Sequence, residues 1–274
     1  MKYVEVDEAM VDTKTLRQQF EQFLEWKECR YVIAYGGYEI ESAFQPIFDC
    51  QLNVLGFEAL IRPRFQGEPV SPIDALSLFR GSGKMAFIDR LFRAMHLRNY
   101  ARLPERGQYL FINYEFDSIV EMKDKEQYIQ LQAQRLRELG IANTHLVLEI
   151  LEHKAQSESR LAIMTQWRRA MEGVNLALDD VQDNELTWLR IHAIRPDIIK
   201  LDREELFNPN YQAFVEELKS TQATLVQEGI ETEEQLALAK AAGIDWFQGF
   251  FLGHPKLISI YIDEGVTKRE NYGN

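Results

Sequence analysis

The sequence has little of what marks membrane proteins and disulfide-rich or metal-knuckle proteins. No apolar run reaches the roughly 18 residues that a membrane-spanning helix needs, and the N-terminal MKYVEVDEAM is not a signal peptide. The only two cysteines, Cys29 and Cys50, show no metal-ligand spacing. We therefore expect a cytoplasmic protein that keeps both thiols free in a reducing compartment.

Positive charge is also scarce, because 31 lysines and arginines stand against 43 acidic side chains. The resulting net charge of −12 argues against non-specific binding to DNA or to an anionic membrane. It does not exclude a phosphorylated ligand, since bound metal ions would invert the local field.

What is present is enough apolar sequence for a sizeable core: 46% of the 274 residues are hydrophobic. From residue 39 onward, strand-like runs alternate with helix-length segments such as EQYIQLQAQRLRELG. The runs are IESAFQPIFD, VLGFEALIR, YLFINYEF, HLVLEILE, NLALDDV, DIIKLD, TLVQEGI and WFQGFF. The short link Gln51-Leu52-Asn53 predicts an antiparallel hairpin between the first two. Eight strands predict an α/β fold, a closed (β/α)₈ barrel, as one domain over residues 39–274.

Residues 1–38 are predicted to form a separate helical extension. Leu16, Phe20, Phe23 and Leu24 recur at helical spacing, and Gly36-Gly37 marks a turn. The apolar face packs on the main domain or binds a second copy or a partner protein, and the sequence leaves these alternatives open.

Acidic residues follow several of the buried runs, although an unpaired buried carboxylate costs several kcal/mol. Because the carboxyl ends of barrel strands meet at one face, we expect these residues to share a site. Carboxylate and amide oxygens are the ligands that Mg²⁺ and Mn²⁺ prefer. The residues at these positions are Glu58, Asn113, Glu149, Asp179, Asp180, Lys200, Glu228 and Gln248.

The order of these residues predicts two metal ions. Glu58, Asn113, Glu149 and Asp179 form the expected first set of ligands. Asp180 and Glu228 complete a second set that shares Asp179, as in sites for in-line phosphoryl displacement. Lys200 would orient water or neutralise charge, and Arg62 would contact a phosphate. Further residues are expected to support these ligands or nearby loops: Glu152, Asp202 and Glu231.

Each of these residues also has a simpler interpretation. A single acid at the end of a strand is usually a helix cap or part of a solvated turn. Lys200 and Asp202 taken alone fit a structural ion pair. The prediction of a site therefore depends on the whole set.

The ordered motifs resemble the EAL family, phosphodiesterases of the bacterial second messenger cyclic di-GMP. The resemblance runs from about Ala43 to Pro255 and includes the name-giving triplet at Glu58. Its motifs are Gln45-Pro46-Ile47, Gly56-Phe57-Glu58-Ala59-Leu60-Ile61-Arg62, Ile112-Asn113, Glu149 with Glu152, Asp179-Asp180, Lys200-Leu201-Asp202, Glu228-Gly229-Ile230-Glu231-Thr232, and Gln248-Gly249 with Pro255.

The resemblance implies a modified barrel with one antiparallel strand at its start, and hydrolysis of cyclic di-GMP to linear pGpG with Mg²⁺ or Mn²⁺. It implies the metal ligands named above, a homodimer, and substrate contacts from Gln45 and Arg62. In this comparison Glu228 is also the general base, Lys200 lies near the attacking water, and Gln248 positions that water.

One segment departs from the family pattern. After Asp179-Asp180 the family has Phe-Gly-Thr/Ala-Gly-Tyr-Ser, whereas this chain has Val181-Gln182-Asp183-Asn184-Glu185-Leu186. The loss of both glycines predicts a strained or altered loop path, and Asp183 and Glu185 add negative charge. Three functions therefore stay open: a slow or conditional phosphodiesterase, a cyclic di-GMP receptor, and a module that holds a protein regulator.

Overall fold

The computed structural model describes residues 20–103, 108–115, 125–151 and 173–264, together with residues 162, 165 and 166. Its strands are β1 (Leu24–Lys27), β2 (Arg30–Tyr35), β3 (Tyr38–Phe48), β4 (Val54–Phe65), β5 (Glu68–Pro69), β6 (Tyr109–Asn113), β7 (Leu146–Leu151), β8 (Asn175–Val181), β9 (Ile198–Leu201), β10 (Thr224–Gln227), β11 (Trp246–Phe247) and β12 (Lys256–Leu257). Its α-helices are α1 (Pro72–Gly81), α2 (Met85–Tyr100), α3 (Lys125–Glu138), α4 (Glu185–Ile194), α5 (Tyr211–Lys219), α6 (Glu233–Ala242) and α7 (Ile258–Glu264), with short 3₁₀ helices at Asn143–His145 and Arg203–Phe207.

Eight of these strands close into a barrel. The hydrogen-bonded order is β3-β4-β6-β7-β8-β9-β10-β11, and β11 returns to β3. β3 runs antiparallel to both of its barrel neighbours, whereas the pairs from β4 to β11 are parallel. The predicted barrel with one antiparallel strand at its start is confirmed, and each of the eight strand-like runs contains a barrel strand.

The hairpin between β3 and β4 is tightened by an aspartate. Asp49 Oδ1 accepts hydrogen bonds from the backbone N–H of Gln51 at 2.9 Å and of Asn53 at 2.8 Å. Leu52, at the turn, has a φ of +61°. A short polar link can therefore reverse the chain, which brings Gln45 opposite Glu58 across the hairpin.

The barrel interior is filled by a layer of apolar side chains, one from each of six strands. These residues are all essentially inaccessible to solvent: Ile47, Phe111, Val147, Ala177, Ile198 and Val226. A larger cluster packs between the outer face of the strands and the surrounding helices. The barrel is therefore a packed core on which a site can be held rigidly.

The prediction of a helical segment up to residue 38 is wrong from Leu24 onward. There β1 and β2 form an antiparallel hairpin, and β2 pairs with β3, so this segment extends the barrel sheet. Val32 and Ile33 are fully buried, and such β-branched side chains favour strand once they pack on a sheet. Leu16 lies outside the described residues, so the proposed helix can be followed only at Phe20 and Glu21.

Among the described helices, none combines the length and the apolar character needed to cross a membrane.

Candidate active site

The predicted site residues lie one layer above the packed interior of the barrel. Successive side chains of a strand alternate between faces, so residues two apart share a face. Asn113, Glu149 and Asp179 each follow a core residue of their strand by two positions. Lys200 and Glu228 are related to Ile198 and Val226 in the same way. The sequence pattern thus carries all five side chains to the same end of the barrel axis.

Lys200 lies at the centre of this group with its side chain fully buried. Its Nζ is 2.8 Å from Asp179 Oδ1, 2.8 Å from Glu228 Oε1 and 3.6 Å from Glu58 Oε2. It also forms an ion pair with Glu149 Oε1. One ammonium therefore serves carboxylates from four strand ends, and these partners, rather than Asp202, form the ion pairs of Lys200 in the described structure.

Glu58 is held by two amides. Gln248 Nε2 donates to Glu58 Oε2 at 2.7 Å, and Asn113 Nδ2 donates to Glu58 Oε1 at 3.2 Å. Among the described residues the buried Oε1 of Gln248 has no hydrogen-bond partner. Gln248 can thus hold the Glu58 carboxylate with its Nε2 and accept a hydrogen bond from water with its Oε1.

The pKa values of the group follow from burial and mutual charge. Burial raises the pKa of Glu149 and of Glu228 well above the usual range, and Lys200 opposes that shift. Burial alone would lower the pKa of Lys200, but Asp179, Glu149 and Glu228 raise it well above its ordinary value. Lys200 therefore stays an ammonium, and its charge favours the ionised form of the carboxyl groups around it.

This arrangement fits divalent cations. Apart from the Lys200 ammonium at Oε1, the carboxylate oxygens of the fully buried Glu149 have no hydrogen-bond donor within the described residues. Carboxylate oxygens of Asp179, Asp180 and Glu228 lie within 4.8 Å of one another. Such incompletely satisfied hard oxygen donors are the chemistry that Mg²⁺ or Mn²⁺ requires.

Asp180 is placed by an uncommon backbone conformation. Its φ is +54°, in the left-handed region that aspartate tolerates better than most residues. β8 continues beyond Asp180 to the buried Val181, which pairs with Leu201 after a register shift, and the Asp180 carboxyl lies beside that of Asp179 at this irregularity. Partial burial and the charge of Asp179 raise the pKa of Asp180 to about 6.

The two predicted substrate contacts lie on the β3–β4 hairpin. Gln45 is buried opposite Glu58, and its Nε2 donates to the carbonyl of Gly253 at 3.2 Å. Arg62 follows Glu58 by four residues on the same face of β4, and it is partly buried. Burial lowers the pKa of Arg62, which Glu58 partly offsets. Both therefore border the carboxylate group without forming part of its ion pairs.

The segment Val181–Leu186 takes a short, ordered path into α4. Gln182 Nε2 donates to Asp202 Oδ2 at 3.1 Å, and the N–H of Asp183 donates to Glu205 Oε1 at 3.1 Å. Asn184 Oδ1 then accepts from the N–H of Thr187 as the N-cap of α4. Neither Gln182 nor Asn184, which stand where the family pattern has glycine, adopts a positive φ, so the predicted strain is absent at these two positions.

The predicted supporting residues have different positions. Asp202 holds Gln182 and caps the second 3₁₀ helix through a 2.8 Å bond from the N–H of Glu204. Glu231 forms an exposed ion pair with Arg203 at 3.2 Å. Gly229, two residues before Glu231, has a φ of +64°, and a side chain at this position would collide with Arg203. Glu152 lies outside the described residues.

Two buried polar residues beside the site were not predicted. Glu205 anchors the loop at Asp183, and Gln227 directly precedes Glu228. Gln227 was detectable in principle, because a polar residue ends the apolar run TLVQ before the acid. Glu205 gave no signal, since acids in a 3₁₀ turn are usually exposed.

The chain is similar in sequence to proteins of a known family. A family model for the EAL domain matches residues 32–255. Over 227 residues the chain is 28% identical to the probable cyclic di-GMP phosphodiesterase PdeN of Escherichia coli K12, which covers 78% of this chain and 43% of PdeN. Over 258 residues it is 26% identical to the cyclic di-GMP phosphodiesterase PdeL of the same organism, covering 86% of this chain and 68% of PdeL. The chain thus spans less than half the length of PdeN.

Solved structures share the fold. BlrP1 of Klebsiella pneumoniae, in a calcium and cyclic di-GMP complex, superposes with a TM-score of 0.68 at 25% identity, covering 80% of this chain and 56% of BlrP1. The FimX EAL domain of Pseudomonas aeruginosa, bound to cyclic di-GMP, gives a TM-score of 0.70 at 20% identity, covering 90% of this chain and 97% of FimX. At that identity the second comparison supports the barrel fold alone.

Proposed function

Because the chain belongs to the EAL domain family, we propose that it is a metal-dependent phosphodiesterase that hydrolyses cyclic di-GMP to linear pGpG in bacterial signalling. The observation that carries this proposal is the convergence of Glu58, Glu149, Asp179 and Glu228 on one buried lysine. A structural core has no need of four such carboxylates, since burying them is costly.

The proposal assigns two cation sites. Glu58, Asn113, Glu149 and Asp179 would hold one Mg²⁺ or Mn²⁺, and Asp180 and Glu228 would hold a second that shares Asp179. When bound, the cations supply Lewis-acid stabilisation of a phosphoryl oxygen and a lower pKa for water.

The chain's own residues would carry the proton and charge transfers. Glu228 accepts a proton from the attacking water, whose oxygen bonds to phosphorus. The product pGpG keeps its phosphate on a 5′ oxygen, so the bond that breaks is P–O3′, and the leaving oxygen takes up a proton. The Lys200 ammonium stabilises the negative charge that develops, and Gln248 Oε1 orients the water.

Gln45 and Arg62 are proposed to hold the substrate. The guanidinium of Arg62 suits a phosphate oxygen, and Gln45 lies across the hairpin from Glu58. Both sit on the barrel strands β3 and β4, so binding would be positioned by the same rigid hairpin that carries Glu58.

A receptor that binds cyclic di-GMP without useful turnover is the second candidate. It is favoured by the segment after Asp180, which lacks the glycines and the aromatic residue of the family pattern although the candidate metal ligands are all present. A protein-interaction module is the third, and it requires neither turnover nor nucleotide binding. A homodimer is expected for the first two from the family resemblance.

Parallel measurements on one preparation separate these functions. Turnover is followed by chromatography of cyclic di-GMP and pGpG with Mn²⁺ and with a chelator, and binding is measured by calorimetry with Ca²⁺. Mn²⁺-dependent pGpG supports the enzyme. Binding without product would support the receptor, and the absence of both would contradict the first two proposals.

A further inference from the structure

Gln227 is a fully buried glutamine at the end of β10 whose side chain is entirely engaged with backbone carbonyls and one tyrosine. Its Nε2 lies 3.3 Å from the carbonyl oxygen of Leu201, 3.2 Å from that of Asp202 and 3.0 Å from that of Glu228. An amide NH₂ has two hydrogens, so they are shared among three acceptors. The group thus connects the ends of β9 and β10.

Tyr211 fixes the direction of this amide. The buried Tyr211 hydroxyl, at the start of α5, donates to Gln227 Oε1 at 2.7 Å. The opposite orientation would face the amide oxygen toward three carbonyl oxygens, which is electrostatically unfavourable. Burial, with a contribution from Glu205, raises the pKa of the hydroxyl, so it remains a donor at any ordinary pH.

The carbonyl groups that accept hydrogen bonds from Gln227 lie next to Lys200 or belong to Glu228. Leu201 directly follows Lys200, and its oxygen also accepts the N–H of Glu228 at 3.2 Å. The carbonyl of Glu228 itself is the nearest of the three acceptors. Gln227 therefore restrains both the strand end that presents the ammonium and the one that presents the candidate base.

The same network reaches the loop after β8. The N–H of Asp202 donates to the carbonyl of Val181 at 3.0 Å, and the carbonyl of Asp202 accepts from the N–H of Glu205. Glu205 in turn holds the N–H of Asp183. Gln227 thus contacts the strand ends that bear Lys200 and Glu228 directly, and it is linked through Asp202 to the strand end that bears Asp179.

We propose that Gln227, oriented by Tyr211, is a positioning residue that sets the geometry of Glu228 relative to Lys200 and the bound cation. This inference rests on the proposed function. An apolar side chain of equal size would fill the space, so packing does not require an amide here. The amide adds hydrogen bonds that fix the orientation of the two peptides. The activity of a metal ligand or a general base depends steeply on such orientation.

The test compares Gln227→Met, Tyr211→Phe and the wild-type chain. Methionine keeps the volume of glutamine but removes its hydrogen bonds, and phenylalanine removes only the hydroxyl. The matched control is Tyr261→Phe, because the buried Tyr261 hydroxyl also donates one hydrogen bond to a backbone carbonyl, that of Phe44 at 2.9 Å, outside the ion-pair network. Each variant is assayed for kcat, KM, Mn²⁺ affinity by calorimetry, and thermal stability.

We expect Gln227→Met to lower kcat and Mn²⁺ affinity by about tenfold or more, within the range for groups that orient metal ligands. KM for cyclic di-GMP should change less than about threefold. Tyr211→Phe should give a smaller loss in the same two quantities, and adding it to Gln227→Met should cost little more, because both act through one amide. Tyr261→Phe should lose stability while kcat and Mn²⁺ affinity stay near the wild-type values.

Wild-type kcat and Mn²⁺ affinity in Gln227→Met, or equal losses in Tyr261→Phe, would overturn the inference and leave Gln227 with a role in folding only. If Gln227→Met does not fold, Tyr211→Phe decides by the same criteria. A wild-type protein that neither turns over substrate nor binds Mn²⁺ would overturn the proposed function and this inference together, whereas unchanged variants of an active protein overturn the inference alone.

Discussion

At the scale of single residues, Lys200 balances the charge of a site that its neighbours make strongly negative. The fully buried Glu149 depends on this ammonium, because neither of its oxygens accepts a hydrogen bond from another described residue. Removing one partner of a buried ion pair leaves an uncompensated charge and commonly costs about 3–5 kcal/mol. Lys200 therefore neutralises the same carboxylates that are proposed to bind a cation.

Lys200→Met should destabilise the metal-free protein by about 3–5 kcal/mol and should make its stability strongly dependent on Mn²⁺. Urea unfolding with and without Mn²⁺ measures both effects. Lys27→Met is the control, because Lys27 forms exposed ion pairs with Glu25 and Glu39 and such pairs contribute about 0–1 kcal/mol. Equal unfolding free energies for Lys200→Met and wild type would contradict the charge balance described here.

His96 predicts how stability depends on acid. It is buried, its Nδ1 lies 2.9 Å from Ser42 Oγ, and burial lowers its pKa to about 3. The unfolded chain then binds a proton that the folded protein does not, so stability is complete above about pH 6.5 and falls as the pH drops toward 3. In His96→Asn this part of the pH dependence should disappear from chemical unfolding curves measured between pH 7 and pH 4. An unchanged slope would show that His96 titrates alike in both states.

At the scale of elements, the loop after β8 and helix α4 form one unit. Asn184 Oδ1 accepts from the N–H of Thr187 at 3.0 Å, and Thr187 Oγ1 donates to the carbonyl of Gln182 at 2.6 Å. The cap of α4 therefore also holds the loop that follows Asp179 and Asp180.

Asn184→Ala should lower the free energy of unfolding by about 1 kcal/mol, which is typical for the loss of an N-cap. Asn210→Ala offers a matched comparison, because Asn210 stands at the N-cap of α5 but makes no side-chain capping bond. Its replacement should cost a few tenths of a kcal/mol. Denaturant unfolding of both variants provides the measurement, and similar losses in the two would argue against the cap as the stabilising contact.

The barrel strands could be predicted from the sequence, whereas the N-terminal hairpin and the loop after β8 could not. The barrel strands were predictable, because each is an apolar run that ends in a polar group. The helical pattern of Phe20, Phe23 and Leu24 predicted too long a helix, because the same spacing leads into a strand that pairs with β2. The path of the loop after β8 was not predictable either, because it depends on hydrogen bonds to Asp202 and Glu205. Both residues are distant from this loop in sequence and lie beside it only in the folded barrel.

At the scale of the whole molecule, the net charge of −12 and the closed barrel restrict the ligands that fit. Under the proposed function the buried ammonium and Arg62 would meet a small phosphodiester at the barrel mouth, whereas the net negative charge would repel an extended polyanion. The convergence of the acids was predictable, because they follow apolar runs and the carboxyl ends of barrel strands meet at one face. The central place of Lys200 was not, because it depends on how far each side chain reaches.

Calorimetry should therefore detect cyclic di-GMP binding in the presence of Ca²⁺, weaker binding of GMP, and no binding of double-stranded DNA at physiological salt. The measurement with DNA is the most stringent test of this prediction, since affinity for DNA would need a basic surface that the composition does not supply. Binding of DNA without binding of cyclic di-GMP would contradict the proposed function.

The central claim is that the carboxylates around Lys200 perform the chemistry rather than merely shape a pocket, and Glu228→Gln tests it most directly. Initial rates of pGpG formation with Mn²⁺ and calorimetric affinity for cyclic di-GMP with Ca²⁺ are compared for wild type, Glu228→Gln and the surface control Glu216→Gln. The account predicts that Glu228→Gln loses about 100-fold or more in turnover while its affinity changes only a few-fold, because an amide cannot accept the proton and binds a cation poorly. Wild-type turnover in Glu228→Gln, or parallel losses of turnover and affinity, would contradict it.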